Sequence, residues 1–584
     1  MPRSLGLRLV LRRIFALGGA AAPALALSLV ALASGSAPVP AHDFDRQTLA
    51  AYLSLRFSSA VPPAVIQHVL ATEGFAARDV ALAGQVAPQR TSGESVSATG
   101  GGAGRAAGAA PYPVNALRQV SRDRLRCPKS DSTECELDTE AEPDIAINPA
   151  EPRNLAGAFQ QGRFPNGGAV DVGWTASFDG GRTWRFGGSA PGLTVGVSDA
   201  PTQGPGPPFE RASDPVVSFD RKHDRLYLNS LSVSNPGCAQ FCDTALTLNI
   251  SRNGGRSFGA PVVAHENVSD PDASTFRFND KNWIVTDNNP HSPYYGRTYV
   301  TWDQVRCADP TCTTLSQPVM VRYSDNGGKT WSKAIQATSE EPAQTHAEIG
   351  VQPVPLPNGD LVIVYADVAA GVYTFTGNYA AILSKDGGKT WSQPHVIDAA
   401  NPYAEESGSV RAPNIPSATA SGKTLYVAFQ DQRFTPGRND ILLTRSSDEG
   451  LTWSDAINAT PDESDLDHFT PDIAAAGKIV HLTYRARQPG NLDASPMVDA
   501  VYRRIADRGR KPRKPLELGK PSNADVAAFV TVEGAPFKFF GDYAGIVAAP
   551  GGLAHPIWDH AQTFKNQRDN PTDTHQRSFS ARVG

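Results

Sequence analysis

The sequence predicts an all-β chain built as a β-propeller, and three observations carry that expectation. An eight-residue turn motif recurs, its copies are evenly spaced, and the chain between copies alternates as several short strands. The motif reads "SFDGGRTW" at Ser177–Trp184, "SDNGGKTW" at Ser324–Trp331, "SKDGGKTW" at Ser384–Trp391 and "SSDEGLTW" at Ser446–Trp453, with a worn copy, "SRNGGRSF", at Ser251–Phe258. Successive copies start 60 to 74 residues apart. A period of that length, holding about four strands, fits radially arranged four-stranded blades.

One period shows the contents. Between Arg411 and Thr460, "APNIPSATA", "TLYVAFQD", "DILLTRSSD" and "SDAINAT" supply four strands, so the motif is the hairpin between the third and the fourth. Its residue types suit a tight turn: a carboxylate accepts backbone N–H groups, glycine takes positive φ, and Ser and Thr add side-chain bonds. Asp179, Asp386 and Asp448, with Asn253 and Asn326 in the same position, are therefore structural residues and not catalysts.

With S-x-D-x-G-x-T-W matched in full at Ser177, Ser384 and Ser446, the chain resembles the Asp-box, or BNR-repeat, proteins of the sialidase-like superfamily. The resemblance covers about residues 142–583 and implies a propeller; activity does not follow from the fold alone. Innermost strands are expected at "EPDIAINP", "SDPVVSFD", "KNWIVTDN", "GVQPVPLP", "APNIPSAT", "TPDIAAAG" and "DYAGIVAAP". Seven openings predict seven blades, with six blades and an extra hairpin as the alternative.

The propeller is expected over residues 114–584, and the remainder divides by composition. Residues 1–41 read as an export signal: Arg3, Arg8, Arg12 and Arg13 precede an uncharged, mostly apolar run, and small-residue cleavage sites follow at Ala31–Ala33 and Val39–Ala41. Arg12-Arg13 also resembles a twin-arginine signal, and an uncleaved anchor is the alternative. Residues 42–83 carry apolar residues at helical spacing, and residues 84–113 form a Gly/Ala/Ser linker with almost nothing to bury. A secreted or periplasmic location follows. Cys127 and Cys135, Cys238 and Cys242, and Cys307 and Cys312 form three local pairs, which reads most simply as three disulfides in an oxidising compartment, metal binding being the competing reading. A net charge of −5 with 19% charged residues gives no basic surface for nucleic acid.

Chemistry is expected where the leading ends of the innermost strands surround one mouth of the channel. The openings bring Asp144, Asp214, Asp280 with Lys281, Glu348, Arg411, His468 with Asp472, and Asp542 with Tyr543 toward that mouth. Paired carboxylates there suit glycoside hydrolysis. Resemblance to sialidases implies a Tyr nucleophile activated by Glu and arginines that clamp a substrate carboxylate. By position Tyr543 is the nucleophile, Glu348 its base, Asp144 or Asp214 the acid, and Arg211 and Arg411 the clamp, with His468, Asp472 and Asp542 lining the site. The F/Y-R-I-P motif that holds the first sialidase arginine is missing; "GRFPNGG" at Gly162–Gly168 is the nearest stretch. The expected function is an exported sialidase-like exo-glycosidase acting on an acidic or otherwise decorated glycan. A non-catalytic glycan- or protein-binding propeller and a polysaccharide lyase using His468 and Tyr543 are the alternatives. No cofactor is expected; "NQRDNPTDTHQRS" at Asn566–Ser578 is the one loop with enough side-chain oxygens for calcium.

Overall fold

The structure is a computed structural model that describes residues 115–584 apart from 123–124, 127–134, 199–206, 235–242, 268–275, 308–314, 340–345, 370–375, 404–409, 462–464, 489–496, 533–534, 563 and 565–574. The expected signal, helical pair and linker lie outside the described residues, as do Cys127, Cys238, Cys242 and Cys312.

The described chain is nearly all β, in consecutive antiparallel meanders. The first unit runs Glu136–Ile147, Leu155–Arg163, Ala169–Ser177 and Arg185–Ser189. Six more follow with innermost strands Arg211–Asp220, Phe276–Thr286, His346–Pro355, Ser417–Ser421, Asp467–Ala476 and Gly545–Ala549. Each opening read from the sequence falls at one of these seven strands. Every innermost strand contacts the next, and the seventh contacts the first. Backbone hydrogen bonding between units is sparse: Thr139 bridges Gln576, Ala169 bridges Ala212, and single bonds run from Glu348 N to Gln317 O, Gln432 N to Asn401 O and His468 N to Asn439 O.

The seventh unit, Gly545–Ala549, Leu553–Ala561 and Gln576–Arg582, takes its fourth strand from the other end of the chain. Asn115–Gln119 pairs antiparallel with Gln576–Arg582. Val120 behind it is fully buried between the seventh and first units, with Ile145 and Ile557. A separate two-stranded hairpin, Ala528–Val532 and Ala535–Phe539, precedes the seventh unit.

Burial explains the strand sequences. Second strands such as Leu155–Arg163 and Leu361–Ala369 sit between two neighbouring units, so they read as near-continuous buried runs. The outermost Arg185–Ser189 is largely exposed. The core is correspondingly divided among interfaces: Val362, Val364, Leu425 and Val427 between the fourth and fifth units, for example, and Tyr426, Ile441, Val480 and Leu482 between the fifth and sixth.

The recurrent turn motif fastens each hairpin and also docks it. In "SKDGGKTW", Asp386 Oδ1 accepts from Lys389 N at 3.0 Å and Thr390 N at 2.9 Å, and Thr390 donates to Oδ2 at 2.6 Å. Asn326 fills the same role with one polarity reversed, its Nδ2 donating to Thr330 Oγ1 at 2.7 Å. The second glycine has positive φ and lies against the preceding unit, so a side chain has no room. A Cβ on Gly388 would stand 3.2 Å from Tyr299, one on Gly328 3.3 Å from Tyr227, and one on Gly181 2.8 Å from His555 of the seventh unit.

Slight burial pushes the Asp386 carboxyl up, but the bonds from Thr390, Ser384 and Lys389 outweigh it and hold the group at about 2. A depressed carboxyl contributes stability above its ordinary value near 3.8 that is lost as pH falls through about 2. Asp386→Asn should therefore lower the melting midpoint modestly at pH 7 and reduce its fall between about pH 4 and 2, so that the two proteins converge at low pH. Gly388→Ala should destabilise by about 1–3 kcal/mol through strain and overlap with Tyr299. Thermal melts of the three proteins check both outcomes.

Candidate active site at the channel mouth

Five innermost strands slip out of register at equivalent points: between Ala141 and Asp144, Ser213 and Val216, Asp280 and Trp283, Ile349 and Gln352, and Phe469 and Asp472. Inside each slip one residue takes positive φ: Glu142 (54°), Asp214 (48°), Lys281 (41°), Gly350 (74°) and Thr470 (49°). Four of these are not glycine, a conformation costing roughly 1–2 kcal/mol each for an L-residue. A bulge also frees a backbone N–H, which inside a protein needs an acceptor. At three of the five the second strand of the preceding unit supplies it: Asp303 for Gly350, Gln430 for Thr470 (3.2 Å) and Asp559 for Glu142, whereas Lys281 N donates to Asp280 Oδ1 at 2.9 Å on its own strand.

The bulges bring Glu142, Asp214 and Lys281 together, and Tyr543, just ahead of the seventh innermost strand, completes the group. The Glu142 side chain hydrogen-bonds Asp214, which also accepts from Ser213 Oγ at 2.7 Å. Two carboxyls joined in this way must share a proton. Gln160 Nε2 donates to Glu142 and, at 2.8 Å, meets Ser213 Oγ. Arg163, wholly buried, donates to Gln160 Oε1 at 2.7 Å and stacks on Phe539 at 4.3 Å. The Lys281 ammonium stands 3.6 Å from the centre of the Tyr543 ring and 4.4 Å from that of Trp283. Tyr543 donates its O–H to Pro215 O at 3.1 Å.

A narrow cavity on the channel axis touches this group. Its lining includes Lys281, Trp283, Gln352, Asp472, Asp542 and Tyr543, drawn from several innermost strands. One step further along, polar side chains tie neighbouring strands: Asp144 accepts from Val217 N at 2.8 Å, Gln352 from Ala418 N at 2.5 Å, and Asp472 from Ile546 N.

The surroundings are dry, and the electrostatics follow. Burial, then Asp214 and Asp542, push the Glu142 carboxyl well up against the pull of Arg163 and Lys281. Burial raises Asp214 too, with Lys281 opposing. Burial, then Glu142 and Asp214, push the Tyr543 phenol well above its ordinary value. Asp144 and Asp472 are each raised to about 7, chiefly by burial.

Several sequence-based placements change. Glu348 is not among the carboxylates acting on Tyr543; it accepts from Val319 N at 2.8 Å and from Thr338 Oγ1, tying its strand to the third unit. Arg211 donates to Asn166 Oδ1 (2.8 Å) and Gly167 O (2.7 Å) and covers Phe164 at 3.9 Å, so it holds the "GRFPNGG" turn. His468 is wholly buried against Asn439 O (3.1 Å) and the Tyr484 ring, away from the cavity lining. Arg411 and Asp542 do lie at the mouth, but bonded to each other: Nε to Oδ1 is 2.7 Å. Glu142, Gln160 and Trp283 were not singled out from the sequence, and Arg163 entered only as part of the "GRFPNGG" stretch nearest to the missing arginine motif. The slipped "E-P-D-I", "D-P-V-V" and "T-P-D-I" patterns, acidic or polar residue before proline at the same point of each opening, are the signal that marks the bulge. Among the described residues no cluster of His, Cys, Asp and Glu has the arrangement of a metal site.

Residues 197–463 match the BNR repeat-like domain family. A sialidase of Bacteroides fragilis is 26% identical over 351 residues, 54% of this chain and 56% of its own length. A sialidase of Vibrio cholerae is 30% identical over 156 residues, 24% of this chain and 19% of its own length. The chain thus spans little more than half of the first relative and about a fifth of the second. Among solved structures, the Hadza microbial sialidase Hz136 aligns over 60% of this chain and 66% of its own at 18% identity and a TM-score of 0.39. A GH93 α-L-arabinofuranosidase of Fusarium graminearum aligns over 61% and 92% at 12% identity and a TM-score of 0.38.

The raised acids make stability depend on pH in the direction opposite to the turn motif. A buried carboxyl raised to about 7 favours the fold below its ordinary value near 4, and that contribution is lost as pH rises through about 7. Asp144→Asn, which keeps an acceptor oxygen for Val217 N, should reduce the fall in melting midpoint between pH 5 and pH 8. A midpoint profile with the same slope as wild type would show that Asp144 does not titrate in that window.

Proposed function

We propose that this chain, an Asp-box, BNR-repeat propeller of the sialidase-like superfamily, is an exported glycoside hydrolase that removes a terminal sugar from a decorated glycan at the channel mouth. The observation that carries the reading is the hydrogen-bonded Glu142–Asp214 carboxyl pair next to Tyr543, whose hydroxyl bonds the backbone of Pro215, the residue after Asp214. Glycoside cleavage needs a group to protonate the leaving oxygen and another to attack the anomeric carbon. In the proposed reaction Tyr543 Oη attacks while its proton passes to the carboxyl pair, and the leaving oxygen takes a proton from Asp144. Water then attacks the anomeric carbon of the glycosyl-tyrosine and gives its proton to Asp144, while the carboxyl pair returns the first proton to Tyr543 Oη as the phenol leaves. A phenol whose ionisation is so disfavoured reacts only if its proton leaves as the bond forms, which is what an adjacent base supplies. The similarity to sialidases makes a sialoside the first substrate to try.

A second reading, a binding propeller without catalysis, is favoured by one observation. Glu142, Asp214, Lys281 and Tyr543 are at most 5% exposed, and the Tyr543 hydroxyl is already committed to Pro215 O.

The test is hydrolysis of 4-methylumbelliferyl glycosides, sialoside included, by wild type and by Tyr543→Phe, Glu142→Gln and Glu348→Gln. Turnover should fall at least about 100-fold in the first two and stay within about tenfold in the third, with melts confirming that all fold. Equal turnover in Tyr543→Phe would overturn the site. No turnover by wild type on any glycoside would favour the binding reading. The three local cysteine pairs belong to the same proposal: the exported protein, denatured without reductant, should show no titratable thiol among its six cysteines.

A further inference from the structure

We propose that the channel mouth accepts an uncharged, hydroxyl-rich sugar and rejects its carboxylated counterpart, because Asp542 already occupies the guanidinium of Arg411 as an internal carboxylate. The inference rests on the sugar site lying at Tyr543, and it narrows the class of sugar that enters.

Arg411 is the strand-leading arginine that stands at the mouth, and its charge is met from within. Nε donates to Asp542 Oδ1 at 2.7 Å and Nη2 to Oδ2 at 3.4 Å, with both side chains at most 2% exposed. The backbone holds the pair in place: Arg411 N donates to Lys538 O at 2.9 Å, and Val410 bridges Lys538 in parallel, so the segment entering the seventh unit is stitched to the segment entering the fifth. An incoming carboxylate gains this guanidinium only by expelling Asp542, which leaves that anion buried without its cation.

The other cations nearby are already engaged by neighbouring residues, Lys281 being, among the described residues, the one whose ammonium lines the cavity without a hydrogen-bond partner. Arg211 is spent on Asn166, Gly167 and Phe164. Arg163 lies beneath Phe539 with Glu142, Asp542 and Asp214 acting on it. The Lys281 ammonium rests on two aromatic faces and acts on Asp214 and Glu142. Around the cavity and the adjoining pair, five acids, Glu142, Asp144, Asp214, Asp472 and Asp542, outnumber Lys281, Arg163 and Arg411. Such surroundings are rich in acceptors, which suits sugar hydroxyls as donors. Trp283 and Tyr543, packed edge to face at 5.6 Å, line the same cavity and offer apolar surface to a sugar ring.

The experiment is binding of wild type to an array of neutral glycans matched with their uronate or sialylated counterparts, with titration calorimetry on the best pair. Neutral members should bind at least tenfold tighter than their carboxylated partners. Asp542→Asn, checked by thermal melt, should bring the two within about threefold by releasing Arg411. Equal or tighter binding of the carboxylated member by wild type overturns this inference and leaves the hydrolase reading standing. Binding to no glycan overturns both. A folded Asp542→Asn that discriminates as wild type does overturns the role of Asp542; if that variant does not fold, the wild-type comparison alone decides.

Discussion

A buried backbone N–H must find an acceptor, and in this molecule that requirement links the fold to the site. Each bulge on an innermost strand turns a side chain inward and frees an amide. Asp303, Gln430 and Asp559 take up three of those amides from the second strand of the unit before. The bond from Asp559 to Glu142 joins the last unit to the first, so the ring and the site share one set of contacts. Without those acceptors, Glu142 and Thr470 could not remain at positive φ in a dry interior.

The same dryness sets the chemistry. In water Glu142, Asp144, Asp214 and Asp472 would all ionise; packed together in a dry interior they are desolvated and repel one another, so protons are retained and shared. Lys281 and Arg163 offset part of that charge through their field on Glu142, and Arg411 through a direct ion pair with Asp542. What results is an acid-rich, proton-holding mouth. Its stabilising contribution is strongest at low pH, whereas the aspartates of the outer turns, exposed and held by hydrogen bonds, contribute at higher pH.

The turn motif is where sequence and structure agree most closely. Its Ser, Asp and Thr make the bonds their types allow, and Asn253 and Asn326 substitute because an amide accepts with one atom and donates with the other. Its docking on the preceding unit was not legible, since the contact runs between residues as far apart as Gly181 and His555. The strand Asn115–Gln119 was missed for a related reason: five residues with little alternation become a strand only when Gln576–Arg582 offers an open edge.

The sequence by itself determined the architecture, because repeated local patterns of turn residues and alternating strands need no distant information to be read. It also placed Asp144, Asp214, Asp472, Asp542 and Tyr543 near one mouth, since a repeat fixes where each strand begins. Which of them meet was decided by the tertiary structure alone. Bulges reaim side chains by one position, and second strands of neighbouring units choose their partners, so Glu348 and Arg211 became fasteners and His468 a buried packing residue. Glu142 and Lys281 instead came to lie beside Tyr543, and Arg411 found Asp542 across 131 residues of chain. Those pairings depend on burial and charge summed over several units, a quantity no local stretch of sequence contains.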